Sequence, residues 1–424
     1  MQKYSIALIA AVFTAGVSGS LQATDLMTFY QLAEAQDPQI RAATANYLAE
    51  QQVVPQTRAA LLPQISGLVE SSETTIDEVV VDGVPQPSED SGETFSWNVN
   101  LSQSVYDHSR WQRLRQANAL AAGAEADYIA AQQELILRVA EAYFNVLAAQ
   151  DTVEFAEAET KAVGQQLEQA KQRFEVGLIA ITDVKESQAQ YDQAVASEIA
   201  ARNVLSASRE ALWALTSQYP EDLAELIQEI PLRSPEPDVK EEWVDKALAE
   251  NLSLLAAQFQ RRAAQLEISA QRGGHFPSLT LTARHGYADA ENQVFGTVVT
   301  TGSRESETTT VGINLSVPIF SGGGIRAQVK EAVYRRDAAR ENEEGVRRLV
   351  IQQTRNAYQN VIADISRVKA LQQALISSEA AYRATEAGFE VGTRNAVEVL
   401  LSLRNTFSAR RDYAQARYDY LLDT

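Results

Sequence analysis

The sequence predicts an α+β chain built as an internal duplication, in which amphipathic strands of a membrane β-barrel, four per chain, join very long coiled-coil helices. Three observations carry that expectation: residue patterns recurring at a fixed offset, alternating apolar and polar stretches, and proline-free runs with an apolar heptad. Composition narrows the rest. The 424 residues hold 37 Lys+Arg against 56 Asp+Glu, a formal net charge of -19, and a chain of that sign repels a polyanion, so no nucleic-acid partner is expected. The chain has no cysteine, which excludes disulfides, thiolate metal sites, cysteine nucleophiles and a lipid-modified N-terminal Cys. Three histidines, His108, His275 and His285, are scattered without metal spacing, so neither a cofactor nor a metal centre is expected.

The chain opens on an address. Lys3 gives a small positive region, Ile6 to Val17 is an apolar run of twelve, and small and polar residues lead to Ala23. This reads as a secretory signal peptide over residues 1–23, because twelve residues are too few to cross a bilayer. Leu21, third before the cut, is a poor match to the small-x-small rule. No later apolar run reaches 18 residues, so no transmembrane helix is expected in the exported chain.

Repeats organise the exported chain. Asn100-Leu101-Ser102 recurs as Asn314-Leu315-Ser316, and Val105-Tyr106 has its counterpart in Ile319-Phe320. Ala142-Tyr143 and Asn145-Val146 recur as Ala357-Tyr358 and Asn360-Val361, and Phe174-Glu175-Val176-Gly177 as Phe389-Glu390-Val391-Gly392. Arg58 and Pro63 match Arg272 and Pro277 upstream. The offset is 214 before a single-residue slip and 215 after it, with Ser321-Gly322-Gly323-Gly324 the expected site of the slip. The expected division is a first repeat over 24–217, a linker or equatorial region over 218–240 and a second repeat over 241–424. Pro220, Pro231, Pro235 and Pro237 mark the linker.

Each repeat is expected to run helix, strand, loop, strand, very long helix, turn, helix. Phe95, Trp97, Val99, Leu101 and Val105 alternate with Ser96, Asn98, Asn100, Ser102 and Ser104, and Val311, Ile313, Leu315, Val317 and Ile319 do the same in the second repeat. Partner strands are weaker, around Ile65 to Ser71 and Leu279 to Ala283. Strands of about ten residues with one apolar face suit a tilted barrel strand in a membrane. A soluble antiparallel sheet with one wet face gives the same alternation, and the strands by themselves favour that soluble reading. The intervening loop, Ser71 to Glu93, carries seven acidic residues and no basic one, and reads as a solvated external loop.

The helices shift that balance. Ser109 to Phe174 is 66 residues without proline, which at about 1.5 Å per residue is a helix of roughly 100 Å. One heptad column holds Leu135, Ala142, Ala149, Ala156, Val163 and Ala170, and a second holds Val139, Val146, Val153, Leu167 and Phe174. Val361, Val368, Leu375, Tyr382 and Phe389 form the matching column of the second repeat. A sustained 3.5-residue repeat means supercoiled packing along the whole helix. Four strands are too few to close a barrel; two chains would supply eight and three would supply twelve, and closure removes edges that lipid cannot satisfy.

Arg173-Phe174-Glu175-Val176-Gly177-Leu178-Ile179-Ala180-Ile181-Thr182-Asp183-Val184 and Gly388-Phe389-Glu390-Val391-Gly392-Thr393-Arg394 resemble the hairpin-tip motifs of the TolC family of outer-membrane efflux and secretion channels. Tyr143-Phe144-Asn145-Val146-Leu147, Asn251-Leu252-Ser253-Leu254-Leu255 and Leu315-Ser316-Val317-Pro318-Ile319-Phe320-Ser321-Gly322-Gly323 are similar to that family as well, so the resemblance spans essentially the whole exported chain. It implies a homotrimer in outer-membrane lipid, with a 12-stranded β-barrel continued by an α-helical barrel across the periplasm. It also implies a passive duct that joins a periplasmic adaptor protein and an inner-membrane transporter of the RND, ABC or MFS type. By the same resemblance, Thr182, Asp183, Arg394, Gln166, Glu386 and Phe389 form a periplasmic gate. Arg394 is expected to bond near Thr182 and Asp183, and Gln166 to meet Glu386. Glu398 and Leu401 fall at the pore constriction, where the family carries two acidic positions, so one carboxylate ring is replaced by an apolar ring. Phe389 lacks a hydroxyl expected to join Asp183, which puts more weight on Arg394. Val176, Gly177, Leu178, Val391, Gly392 and Thr393 form the tip that an adaptor contacts.

Read without the resemblance, the tip residues also fit helix capping, with Gly177 and Gly392 ending helices, and Asp183 with Glu186 and Asn395 with Glu398 as capping boxes. Ser321-Gly322-Gly323-Gly324 reads as a strand-to-helix corner, since no Lys-Ser/Thr comes after it as in a phosphate loop. Trp97, Tyr106, Tyr287 and Phe320 fit either an interfacial aromatic belt or ordinary sheet packing. His108 and His285 are expected near the junction of strands and helices. Thr424 aligns with Arg209, so the last helix is expected to stop about eight residues short of its counterpart, without the family's C-terminal extension. The alternative function is a periplasmic coiled-coil adaptor; a soluble enzyme would need a nucleophile–base or metal constellation.

Overall fold

The structure, a computed structural model, describes residues 25–81, 84–227, 230–295 and 298–424, with side chains described outside 76–91 and 292–302. The expected signal peptide lies outside the described residues.

The first half runs α1 (Leu26–Gln36), α2 (Pro38–Gln51), α3 (Val53–Ala59), β1 (Gln64–Val81), β2 (Val84–Tyr106), α4 (His108–Glu175) and α5 (Ile181–Thr216). The second runs α6 (Lys240–Glu250), α7 (Leu252–Arg272), a 3₁₀ turn at Gly273–His275, β3 (Ser278–Phe295), β4 (Val298–Ser316), α8 (Gly324–Glu390) and α9 (Ala396–Asp423). Among the described residues two compact units form, one from 25–38, 135–233 and 363–424, the other from 39–134 and 234–362, so each draws on both halves of the chain.

In the first unit, α1 starts where the Asp25 carboxylate accepts the Thr28 N–H at 2.9 Å, meeting a donor the helix leaves free. The helix stops at Asp37, whose carboxylate is buried and takes a 2.6 Å hydrogen bond from the Arg138 guanidinium of α4. The expected heptad becomes core: Leu135, Val139, Val146, Ala149, Ala156, Val163, Leu167 and Ala170 are buried, while Ala142 and Val153 are half-buried. Phe174, the last residue of its column, is exposed. Tyr143 donates to the Ala224 carbonyl at 3.0 Å and Tyr420 accepts the Arg233 N–H at 2.8 Å, so the proline-marked segment is held through its backbone.

The second unit contains one antiparallel sheet in the order β1-β2-β3-β4. Its register aligns Ile65 with Leu101, Leu101 with Ala283, and Ala283 with Val311, so one apolar row crosses all four strands. Trp97 lies opposite both Val69 and Tyr287, which puts two aromatics of the expected belt in one row. At the foot of β2, the Asp107 carboxylate accepts the Arg110 N–H at 3.2 Å and Ser109 donates to the Ala270 carbonyl at 2.8 Å. A Cβ at Gly273 would lie 2.3 Å from the Ser109 hydroxyl oxygen, so only glycine allows α7 to end this close to α4. At the foot of β4, Gly322 (φ 61°) and Gly323 (φ 82°) make the expected strand-to-helix corner.

The strands depart from expectation in length. They span 18, 23, 18 and 19 residues rather than about ten. The stretch expected as a loop, Ser71 to Glu93, is mostly ladder, with Ser71 to Thr75 paired to Phe95 to Ser91. Thr74, Thr75, Ile76, Val79, Val80 and Val81 are β-branched, and this favours an extended backbone despite the acidic neighbours. β4 ends at Ser316, short of Val317 and Ile319. His108 sits at the strand–helix junction as expected, 5.0 Å from the Phe276 ring, whereas His285 lies within the sheet opposite Val99 and Thr309.

Candidate functional site: the paired hairpin turns

The turns at the ends of α4 and α8 share one hydrogen-bond scheme. Gly177 N–H donates to the Phe174 carbonyl at 2.9 Å and Leu178 N–H to the Arg173 carbonyl at 2.8 Å. In the second hairpin, Gly392 donates to Phe389 at 3.1 Å and Thr393 to Gly388 at 2.8 Å. Both are Schellman endings, which require a left-handed residue, and Gly177 (φ 76°) and Gly392 (φ 79°) supply it. The predicted glycine-assisted turns are thus present in both hairpins.

The second helices of the two hairpins start differently. Asn395 caps α9, its side chain accepting the Glu398 N–H at 2.9 Å. The Glu398 carboxylate does not complete a capping box; it takes a 2.8 Å hydrogen bond from the Arg394 guanidinium. α5 begins after Ala180, which has no capping side chain, and Asp183 lies inside the first turn rather than at its cap. The Asp183–Glu186 capping box therefore does not form. The backbone carbonyl of Asp183 instead accepts from Ser187, whose side chain is buried.

The residues expected to form a gate gather at this end of the first unit, with partners other than those expected. Arg394, just ahead of the α9 cap, turns to Glu398 in the first turn of that helix rather than to Thr182 and Asp183, because a carboxylate four residues on is within reach at low entropic cost. Glu386 likewise accepts from the Tyr382 hydroxyl at 2.8 Å rather than meeting Gln166. Burial, together with that carboxylate, pushes the Tyr382 hydroxyl up to about 12. Gln166, Asp183 and Phe389 are half-buried, and Thr182 and Leu401 are exposed. Val176, Leu178 and Val391 are 70%, 73% and 76% exposed, an unusual setting for three aliphatic side chains.

Behind the turns, Val163 of α4 packs with Leu400, Leu403 and Phe407 of α9, and Tyr191 of α5 and Tyr382 of α8 close around them, so all four helices meet. Farther along, α9 is bonded to α4 twice, through Tyr418 to Asp151 at 2.9 Å and Arg411 to Glu159 at 2.9 Å. Burial holds the Asp151 carboxyl above the usual carboxylate range. Sequence reasoning missed these pairs, and it missed Arg173, whose guanidinium carbon stands 4.2 Å from the centroid of the Phe389 ring. The signal was available in the repeats: at the offset of 215, Arg173 corresponds to Gly388, so one repeat carries a long cation where the other has no side chain.

Residues 29–218 and 243–423 match the sequence profile of the family described as Outer membrane efflux protein. The chain is 40% identical to the outer membrane protein TolC of Vibrio cholerae over 406 residues, which cover 96% of this chain and 90% of that protein. It is 30% identical to the alkaline protease secretion protein AprF of Pseudomonas aeruginosa, over 94% of this chain and 82% of that protein. Among solved structures, the outer membrane protein VceC of Vibrio cholerae shares the fold, with a TM-score of 0.77 and 18% identity over 94% of both chains. The long paired helices, the four-stranded sheet and these matches have one explanation: the chain belongs to the outer membrane efflux protein family.

Proposed function

We propose that three copies of this duplicated chain close a 12-stranded barrel in the outer membrane and a helical barrel below it, forming a duct whose periplasmic end is gated by the paired hairpin turns. As a member of its family the chain is an outer-membrane exit duct for efflux and secretion that extends into the periplasm, and a periplasmic adaptor is not the favoured reading. One observation carries the barrel: the sheet has two edge strands, β1 and β4, and an apolar face left in the open, with Ile65 at 70%, Val311 at 70% and Ile313 at 71% exposure. Lipid would satisfy that face but not the edges, which only pairing with further copies can fill.

In the first unit, Gln166, Thr182, Asp183, Glu386, Phe389 and Arg394 form the gate, and Glu398 with Leu401 the constriction. Arg394, held by Glu398 in the single chain, has further donors with which to reach Thr182 and Asp183 across neighbouring hairpins. The exposed Val176, Leu178 and Val391, with Gly177, Gly392 and Thr393, offer an apolar contact to a periplasmic adaptor, and through it to an inner-membrane transporter of the RND, ABC or MFS type. The kinship with a protein named for alkaline protease secretion supports protein export beside small-molecule efflux. No catalysis is assigned to the duct.

Single-channel conductance of the purified protein in a planar bilayer tests this reading, with wild type and Arg394→Ser side by side. A small cation-preferring conductance that rises in the variant supports both pore and gate. Absence of conductance from a verified, reconstituted trimer overturns the duct.

A further inference from the structure

We propose that Arg173 is a positioning residue of the closed tip, its guanidinium lying over the Phe389 ring and tying the α4–α5 turn to the α8–α9 turn. The inference deepens the gate reading above and rests on it. The guanidinium carbon is 4.2 Å from the ring centroid, well inside the range over which a cation is attracted by an aromatic face. Both residues are half-buried, so the contact is partly shielded from water. Among the described residues no carboxylate pairs with this guanidinium, which leaves the ring as its partner.

The backbone holds the two groups in place. The Arg173 carbonyl accepts Leu178 N–H at 2.8 Å, and the Phe389 carbonyl accepts Gly392 N–H at 3.1 Å, so each belongs to the last, fixed turn of its helix. Phe389 offers no hydroxyl, and its ring face is therefore what it can contribute to a tie between hairpins. Gly388 completes the arrangement: a Cβ there would lie 2.8 Å from Arg394 Cγ, so the missing side chain lets Arg394 pack against the end of α8. The proposed tie thus adds a ring–cation contact between the two turns to the hydrogen-bonded charge expected of the gate.

The test uses the full trimer in planar bilayers, with assembly checked by heat-modifiable migration, and compares Arg173→Gln, Phe389→Leu and their combination, with Arg394→Ser as the reference opening variant. A single exposed tie of this kind shifts an equilibrium by about two- to fivefold, and three acting together by roughly ten- to 150-fold. Each single variant should raise the open population by that order, and the double variant no further than the larger single effect. Arg173→Gln indistinguishable from wild type while Arg394→Ser opens would overturn the tie and leave the gate standing. Singles whose effects multiply in the double variant would equally overturn it. If neither Arg394→Ser nor Arg173→Gln opens a conducting trimer, the gate reading itself fails. Should Phe389→Leu fail to assemble, Arg173→Gln against wild type and Arg394→Ser decides the matter.

Discussion

Tyr382 concentrates the chemistry of the hairpin into one hydroxyl. It donates to Glu386 at 2.8 Å and packs beside Val163, Leu400, Leu403 and Phe407. Burial first, and the adjacent carboxylate second, raise its proton affinity, so the folded value of about 12 lies above the unfolded value of about 10. The folded hairpin therefore holds the proton over an interval in which the unfolded chain has lost it. Its contribution to stability is complete below about pH 10 and falls as pH rises toward 12. Alkaline unfolding tracked by circular dichroism should show this loss in the wild type, and Tyr382→Phe should lack its share of it. Equal pH profiles for the two proteins would contradict the assignment.

Among the elements, α9 is held from two sides. Toward α8 it is bonded through Thr406 to the Ser378 carbonyl at 3.2 Å and Arg410 to Glu379 at 2.7 Å. Toward α4 it uses Tyr418–Asp151 and Arg411–Glu159. Glu159 is nearly buried while Arg411 is about one-third exposed, so water screens part of the pair. Glu159→Gln leaves the arginine under-compensated and should cost about 1–2 kcal/mol, read as a lower guanidinium midpoint with an unchanged slope. Pairing Glu159→Leu with Arg411→Met should recover much of that loss. The helices were legible in the sequence because a heptad of Ala, Val and Leu repeats without interruption, and burial tracks it from Leu135 to Ala170. The strands were legible in position but not in length, since the acidic residues between Ser71 and Glu93 masked a β-branched ladder. Gly177 and Gly392 announced the turns, because a left-handed residue is a local demand. The partners of Arg394 and Glu386 were not legible. A donor at a helix start can choose between a neighbour one turn away and a residue on another hairpin, and spacing does not rank the two.

Over the whole molecule, the sheet sets the strongest constraint. Its apolar row belongs in lipid only if both edges are paired, and a ring of chains pairs every edge. Val311 and Thr310 are adjacent in β4 but point to opposite faces. Val311→Arg should destabilise the assembled barrel by about 2–4 kcal/mol where the residue lies near the bilayer midplane, whereas Thr310→Arg should be tolerated. The yield of heat-modifiable trimer reads the difference, and equal yields would argue against a lipid-facing row. In a ring of three chains six turns would meet at the closed end, and they would not be mechanically alike. Asn395 anchors the start of α9 while α5 begins on Ala180 without an anchor. Compliance would alternate around the rim, soft turn beside stiff turn, and a load applied evenly to the rim would be taken up by every second hairpin.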